Sequence, residues 1–256
     1  MAKLTFQLYG SPLEVEAPLP TGTITAAEFL PLVHAVVSAV VARSAERVEA
    51  GIGGSPGKPI TCAKGCAACC KRQPVPTALP EAEALRALVD RQPTARREEL
   101  RARFEEAARR VEEAGLGPRM RMEIASTPEQ ARVAVQEYMQ LELVCPFLEN
   151  ESCSIYEDRP MACRMYLVTS PASLCTDPLG QPVEVLSMPL RPITALMAAL
   201  EELGFSPQHT VPLTLAVPWA DAHREAAEQQ YSAELLLKTW LKHLSRRIAP
   251  GAAGAG

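Results

Sequence analysis

The chain opens on a short alternation. Leu4, Phe6 and Leu8 are apolar between polar neighbours, and Gly10-Ser11-Pro12 marks a turn before a second extended run, Leu13 to Ala17. Period-two alternation broken by a turn predicts two β segments. From about Thr25 the pattern turns helical, with apolar residues crowded between Phe29 and Val41, and it ends in the Gly-rich stretch Gly51 to Gly57. A helix apolar on most sides is expected in the core. Pro80 opens another helix bearing Leu85, Leu88 and Val89, and the next carries Leu100, Phe104, Ala107 and Val111 as one stripe before Gly115 and Gly117. Thr127-Pro128-Glu129-Gln130 supplies an N-cap, a first-turn proline and a Gln three residues after the cap, the start of a helix towards Leu143.

Residues 144–182 show little periodicity and read as loop. A short extended stretch follows at Val183 to Met188, then a helix from Pro192 capped by Gly204. An extended piece, Val211 to Val217, leads into a long terminal helix from about Asp221 to Ile248, and the Gly/Ala/Pro tail from Ala249 is expected to be disordered. The fold class is mainly α with minor β. The expected division is an N-terminal β segment and buried helix over 1–58, a cysteine-bearing core with a helical insertion over 59–182, a helical part over 183–248, and the tail.

Composition narrows the function. A chain of 256 residues can bury its own core, so it has no need of disulfide staples. MAKLTFQLYG lacks the basic start and apolar run of a signal peptide, and the longest apolar stretch falls short of the about 20 residues that cross a bilayer. These features lead us to expect a soluble cytoplasmic protein with reduced thiols. A net charge of −4 argues against a general nucleic-acid or anionic-membrane partner. The arginines between Arg96 and Arg110 alternate with glutamates at i, i+4 (Glu99 with Arg103, Glu105 with Arg109, Glu106 with Arg110), the pattern of a solvated helix face.

The chemistry is concentrated in the cysteines. Cys62-Ala-Lys-Gly-Cys66-Ala-Ala-Cys69-Cys70 places four within nine residues, and Cys145, Cys153, Cys163 and Cys175 follow. Crowded thiolates are costly unless a metal or cluster neutralises them. Cys66-x2-Cys69 is the separation that lets two thiolates reach one ion from a tight loop, as in zinc ribbons and many iron–sulfur loops. Cys69 and Cys70 are neighbours whose side chains tend to point apart. They suggest either two centres, or one ligand beside a spare or reactive thiol. Cys175 is the best candidate for an ordinary buried thiol. His34, His209, His223 and His243 lie outside the cysteine segments and read as packing or surface residues. The gaps at Cys62, Cys66 and Cys69 also match a radical-SAM loop, but Ala68 stands where that loop carries an aromatic, and no strand–helix alternation accompanies it. Gly51-Ile-Gly-Gly-Ser-Pro-Gly-Lys58 misses the phosphate-loop spacing and reads as linker.

The second segment carries Cys145-Pro-Phe-Leu, Ile155-Tyr-Glu-Asp-Arg-Pro160 and Ala162-Cys-Arg164. With the first cluster, these pieces resemble the YkgJ-type cysteine-cluster family, a zinc- or iron-chelating domain with a CxxCxxCC signature. The resemblance covers Cys62 to Cys175 and departs from the signature by placing three residues between the first two cysteines. It implies metal-binding loops packed on helices, with Cys62, Cys66, Cys69, Cys70, Cys145, Cys153 and Cys163 as ligands of a zinc or iron ion or an iron–sulfur cluster. One branch of that family resembles flagellin lysine methylases. Arg159 and Arg164 either lower thiol pKa beside the cluster or pair with Glu157 and Asp158. Tyr156 and Tyr166 are expected to pack over the loop. The leading functional expectation is a metal-binding protein with a chelating, structural or accessory role. The alternative is an iron–sulfur enzyme, a methyltransferase or oxidoreductase, marked by a concave pocket beside the centre. A metal-free thiol-redox role through Cys69 and Cys70 ranks below both, because a vicinal disulfide is strained.

Overall fold

A computed structural model describes residues 1–52, 57–124, 126–206 and 210–245. The chain begins with β1 (Ala2–Leu8) and β2 (Ser11–Ala17), an antiparallel hairpin in which Phe6 faces Leu13 and Leu8 faces Ser11. Its two-residue turn, Tyr9-Gly10, has positive φ at both positions (53° and 79°), the conformation that matches strand twist. β3 (Thr23–Thr25) precedes α1 (Leu30–Glu49), so the first helix starts about five residues later than the apolar pattern suggests. Thr23–Thr25 instead pairs with a strand near the C-terminus, and long-range pairing outweighs local pattern in so short a segment.

Next come β4 (Pro76–Ala78), α2 (Leu79–Asp90), α3 (Thr94–Glu113), α4 (Gly117–Met120) and α5 (Pro128–Gln140). The buried residues of α3 are Leu100, Phe104, Ala107 and Val111, the stripe read from the sequence. Thr127 and Gln130 close the expected capping box at the start of α5, with bonds of 3.2 Å and 2.8 Å. The stretch read as loop holds a hairpin of β5 (Leu148–Glu149) and β6 (Ser152–Cys153), then α6 (Met161–Met165). Val185 makes a single bridge to Val168, so 183–188 joins no named strand.

The C-terminal third departs most from expectation. After α7 (Pro192–Glu202), the piece expected to be extended over Val211 to Val217 is strand in β7 (Thr210–Pro212) and helix in α8 (Ala216–Ala222). The long terminal helix is divided into α9 (Arg224–Ala227), β8 (Gln230–Ser232) and α10 (Ala233–Ser245). β8 breaks it because Tyr231 pairs opposite Ile24, which closes the N-terminal strand against the end of the chain. The tail lies outside the described residues. Among the described residues the fold is mainly α with four two-stranded pairs.

One contiguous apolar cluster runs from Phe6 to Leu244. Phe29 and Trp240 meet edge to face with centroids 5.6 Å apart, joining α1 to α10, and Phe104 meets Phe147 at 5.4 Å, joining α3 to the second cysteine segment. α1 also packs on α6, the helix that carries Cys163. No described helix is long and apolar enough to cross a membrane.

Candidate metal centre

The first cysteine loop is compact. Gly65 adopts φ of 93°, which folds Cys62–Cys66 back on itself, and the Cys66 amide donates to the Ala63 carbonyl at 2.9 Å. A single 3-10 turn, Cys69 to Lys71, carries the adjacent pair. The second segment closes over it. Asn150 and Glu151, both at positive φ, turn the β5–β6 hairpin so that Cys153 sits opposite Leu148.

The two segments are joined by specific bonds. The Cys145 amide donates to the Cys70 carbonyl at 2.7 Å, and the Thr61 amide donates to Val168 at 3.0 Å. The Thr61 hydroxyl donates to the Ser170 carbonyl at 2.6 Å. At the surface, Lys71 pairs with Glu151 and Lys58 with Glu184. Helix α3 braces the same region, because Arg103 donates to the Pro146 carbonyl at 2.9 Å and both Arg96 and Arg103 pair with Glu149. Of the expected i, i+4 pairs, Glu99–Arg103 forms. Arg109 instead bonds Glu106 and Glu113, and Arg110 turns to the Leu141 carbonyl.

Cys62, Cys66, Cys69, Cys70, Cys153 and Cys163 line one cavity of about 70 Å³, and Cys175 lines it with them. Cys145, the seventh expected ligand, does not line this cavity; its amide is bonded to the Cys70 carbonyl. All eight cysteines are free thiols. Cys175, expected to be a bystander, is buried yet faces the cavity; the signal available in the sequence was its place in the same non-periodic stretch as Cys163. As placed, no three Cys, His, Asp or Glu groups among the described residues form a closed coordination sphere. The donors share a cavity, and closing a sphere needs side-chain rotation toward it.

The electrostatics fit a cation. A hydrogen bond with Cys70, then burial, drives the Cys69 thiol far above its ordinary range. Burial, then the Cys69 thiol and Glu81, pushes Cys163 up to about 12. Burial likewise raises Cys62, Cys145, Cys153 and Cys175, and interactions among the thiols add to each shift. Such a set resists deprotonation until positive charge arrives, and a metal supplies it. The fixed cation on the cavity wall is Arg159, which opposes the shifts of Cys62, Cys69, Cys153 and Cys163. It stacks on Tyr156 at 3.6 Å and donates to the Tyr156 carbonyl. Arg164 does not join it, because its guanidinium bonds the carbonyls of Arg159 and Glu157. Among the described residues neither arginine pairs with the Glu157 or Asp158 carboxylate. Tyr156 lies between Lys64 and Arg159, while Tyr166 hydrogen-bonds Gln73 and Cys175.

Among the described residues no histidine lines the cavity. His34 is on α1, His223 stacks near Trp219, His243 pairs with Glu202, and His209 lies outside the described residues. Sequence reading passed over Glu81, which is fully buried. Its two oxygens accept from the Met161 amide at 2.7 Å and the Ala78 amide at 3.3 Å, which fixes the Cys163 helix to α2. A Glu at the third position of a helix is a common capping signal, and nothing in the sequence marks this one as buried.

This architecture, two cysteine loops closed over one another on a helical support, defines a cysteine-cluster domain. Residues 61–176 match the CxxCxxCC family model, described as "Putative zinc- or iron-chelating domain". Comparisons with curated proteins and with solved structures gave no match.

Proposed function

We propose that the cysteine cavity holds zinc or iron and that this centre is what the protein works with, in a chelating, structural or accessory role in a reducing compartment, the cytoplasm. The observation that carries the reading is the convergence of Cys62, Cys66, Cys69, Cys70, Cys153, Cys163 and Cys175 on one small cavity, with the Cys145 amide bonded to the Cys70 carbonyl. The ligand set is Cys62, Cys66, Cys69, Cys70, Cys145, Cys153 and Cys163, with Cys175 as an eighth donor. A tetrahedral zinc takes four thiolates, so this supply suits two ions or an iron–sulfur cluster better than one ion. Bound metal would supply the positive charge that holds these sulfurs deprotonated. Arg159 supports the same charge state, and Tyr166 and Gln73 orient the Cys175 side of the wall.

A second reading, an iron–sulfur-dependent enzyme, is favoured by one feature: a larger concave cavity shares Cys69, Cys163 and Tyr166 with the cysteine cavity. Elemental analysis and a visible absorption spectrum of anaerobically purified protein test both readings. Colourless protein with stoichiometric zinc supports the first and excludes the second, a broad sulfur-to-iron absorption in the visible leaves both standing, and neither metal sinks both.

A further inference from the structure

Beside the cysteine cavity lies a space of about 590 Å³ between α6, the 183–188 stretch and the start of α7. Its size falls in the range of small-molecule sites, roughly 300–1,000 Å³. Met165, Leu186, Met188 and Ile193 give it an apolar body, with unbranched methionines that adapt to the shape of a guest. Cys69 and Cys163 line both this space and the cysteine cavity. At its mouth is Arg191, an exposed guanidinium that pairs with no carboxylate among the described residues. Helix α7 begins at this point with no acidic residue in its first turn and no side-chain cap, so its dipole adds to the positive field. Gln73 and Tyr166, the polar groups between the two cavities, are already engaged with the Cys175 side. Among the lining residues Arg191 is the one side chain with a fixed charge, and it is positive.

We propose that this cavity binds a small organic anion with an apolar body, its charge at Arg191 and its body against Met165, Met188 and Ile193, next to Cys69 and Cys163. The inference goes beyond metal binding and does not require it. An occupant of this kind lies against the wall that both cavities share, Cys69, Cys163 and Tyr166.

The test is a titration of the full-length reduced protein, carrying ¹³C-methyl methionine, with octanoate, octylammonium and octan-1-ol, zinc and iron content being measured on the same sample. Octanoate is expected to give saturable shifts at Met165 and Met188 and to bind about tenfold more tightly than the other two, the difference one charge-assisted contact makes. Arg191→Gln should weaken octanoate about fivefold or more while leaving octan-1-ol unchanged, as expected for loss of that contact. Ile193→Trp, which fills the space, should remove the shifts. Thr194→Trp serves the same purpose if the first variant fails to fold. Equal binding of the three probes, shifts confined to Met120 and Met122, which line a separate cavity with Ala131 and Ala134 of α5, or indifference to Arg191→Gln would overturn the proposal. Metal-loaded protein that ignores octanoate removes this inference and leaves the metal centre standing. Metal-free protein that binds it at Met165 and Met188 does the reverse.

Discussion

Glu81 gives the sharpest quantitative handle on how the fold holds the centre. Its carboxyl is buried, accepts two backbone amides, and is pushed up to about 7 from 4.5, mainly by desolvation and against the pull of the Met161 and Ala78 amides and Arg164. The raised value means that folding favours the protonated acid. Its contribution to stability is therefore fully present below pH 4.5 and is lost as the pH rises through about 7. A shift of about 2.5 units corresponds to about 3 kcal/mol, of which about 2.5 kcal/mol falls between pH 5 and pH 8. Glu81→Gln removes the titration and keeps one acceptor oxygen for Met161. It loses the acceptor facing Ala78, a cost of about 1–3 kcal/mol that does not vary with pH. The assay is urea unfolding of both proteins at pH 5 and pH 8. Subtracting one from the other cancels titration of the cysteines common to both. The variant should gain about 2–3 kcal/mol on the native protein between the two pH values. A stability difference that is the same at both pH values would refute the assignment of a buried, proton-holding Glu81.

Other consequences are simpler to check. Phe104→Ala removes a fully buried ring packed edge to face on Phe147 and should cost about 3–5 kcal/mol in chemical unfolding, with loss of metal at lower denaturant than global unfolding because Phe147 follows Cys145 and Pro146 directly. Cys69→Ser and Cys70→Ser should differ in residual metal, since Cys69 faces both cavities and interacts with most of the other thiols, whereas Cys70 lines the smaller cavity only; equal and complete loss from both would rule out a spare thiol at Cys70. Arg109→Glu, on an exposed pair, should leave chemical unfolding nearly unchanged and metal content intact, while Arg103→Ala should reduce metal retention by freeing Pro146. Chelation under reducing conditions should make 144–182 sensitive to protease while α10 stays protected, because thiolate–metal bonds of roughly 10–16 kcal/mol per structural site are what offset the entropy of joining two distant loops; equal resistance with and without metal would show that the hydrogen bonds and packing suffice.

The parts of this fold that are legible in sequence are those with local causes. The α3 stripe repeats at helical spacing, Thr127 and Gln130 cap their own helix, and the first hairpin alternates around its turn. The parts that are not legible depend on distant partners. Thr23–Thr25 and Gln230–Ser232 are strands because they pair with each other, and an apolar pattern from Asp221 onward cannot show that Tyr231 will lie opposite Ile24. The stretch Val211 to Val217 is apolar whichever way it folds, since Val211, Leu213, Leu215, Ala216 and Val217 are all buried. At the site, the expected ligands other than Cys145 line the cavity, but the family pattern left Cys175 out, and only tertiary packing turns it inward. The roles of Arg159 and Arg164 separate for the same reason: one side chain stacks on Tyr156 at the cavity, the other is drawn off by backbone carbonyls.

The central claim is that the two cysteine loops converge on bound metal. Elemental analysis of anaerobically purified, reduced protein, paired with the double variant Cys66→Ser/Cys69→Ser, addresses it most directly. At least one zinc or iron per chain in the native protein, lost from the folded double variant, is the result the account predicts. Native protein that is folded and reduced, and remains metal-free after incubation with zinc or ferrous iron, would contradict it.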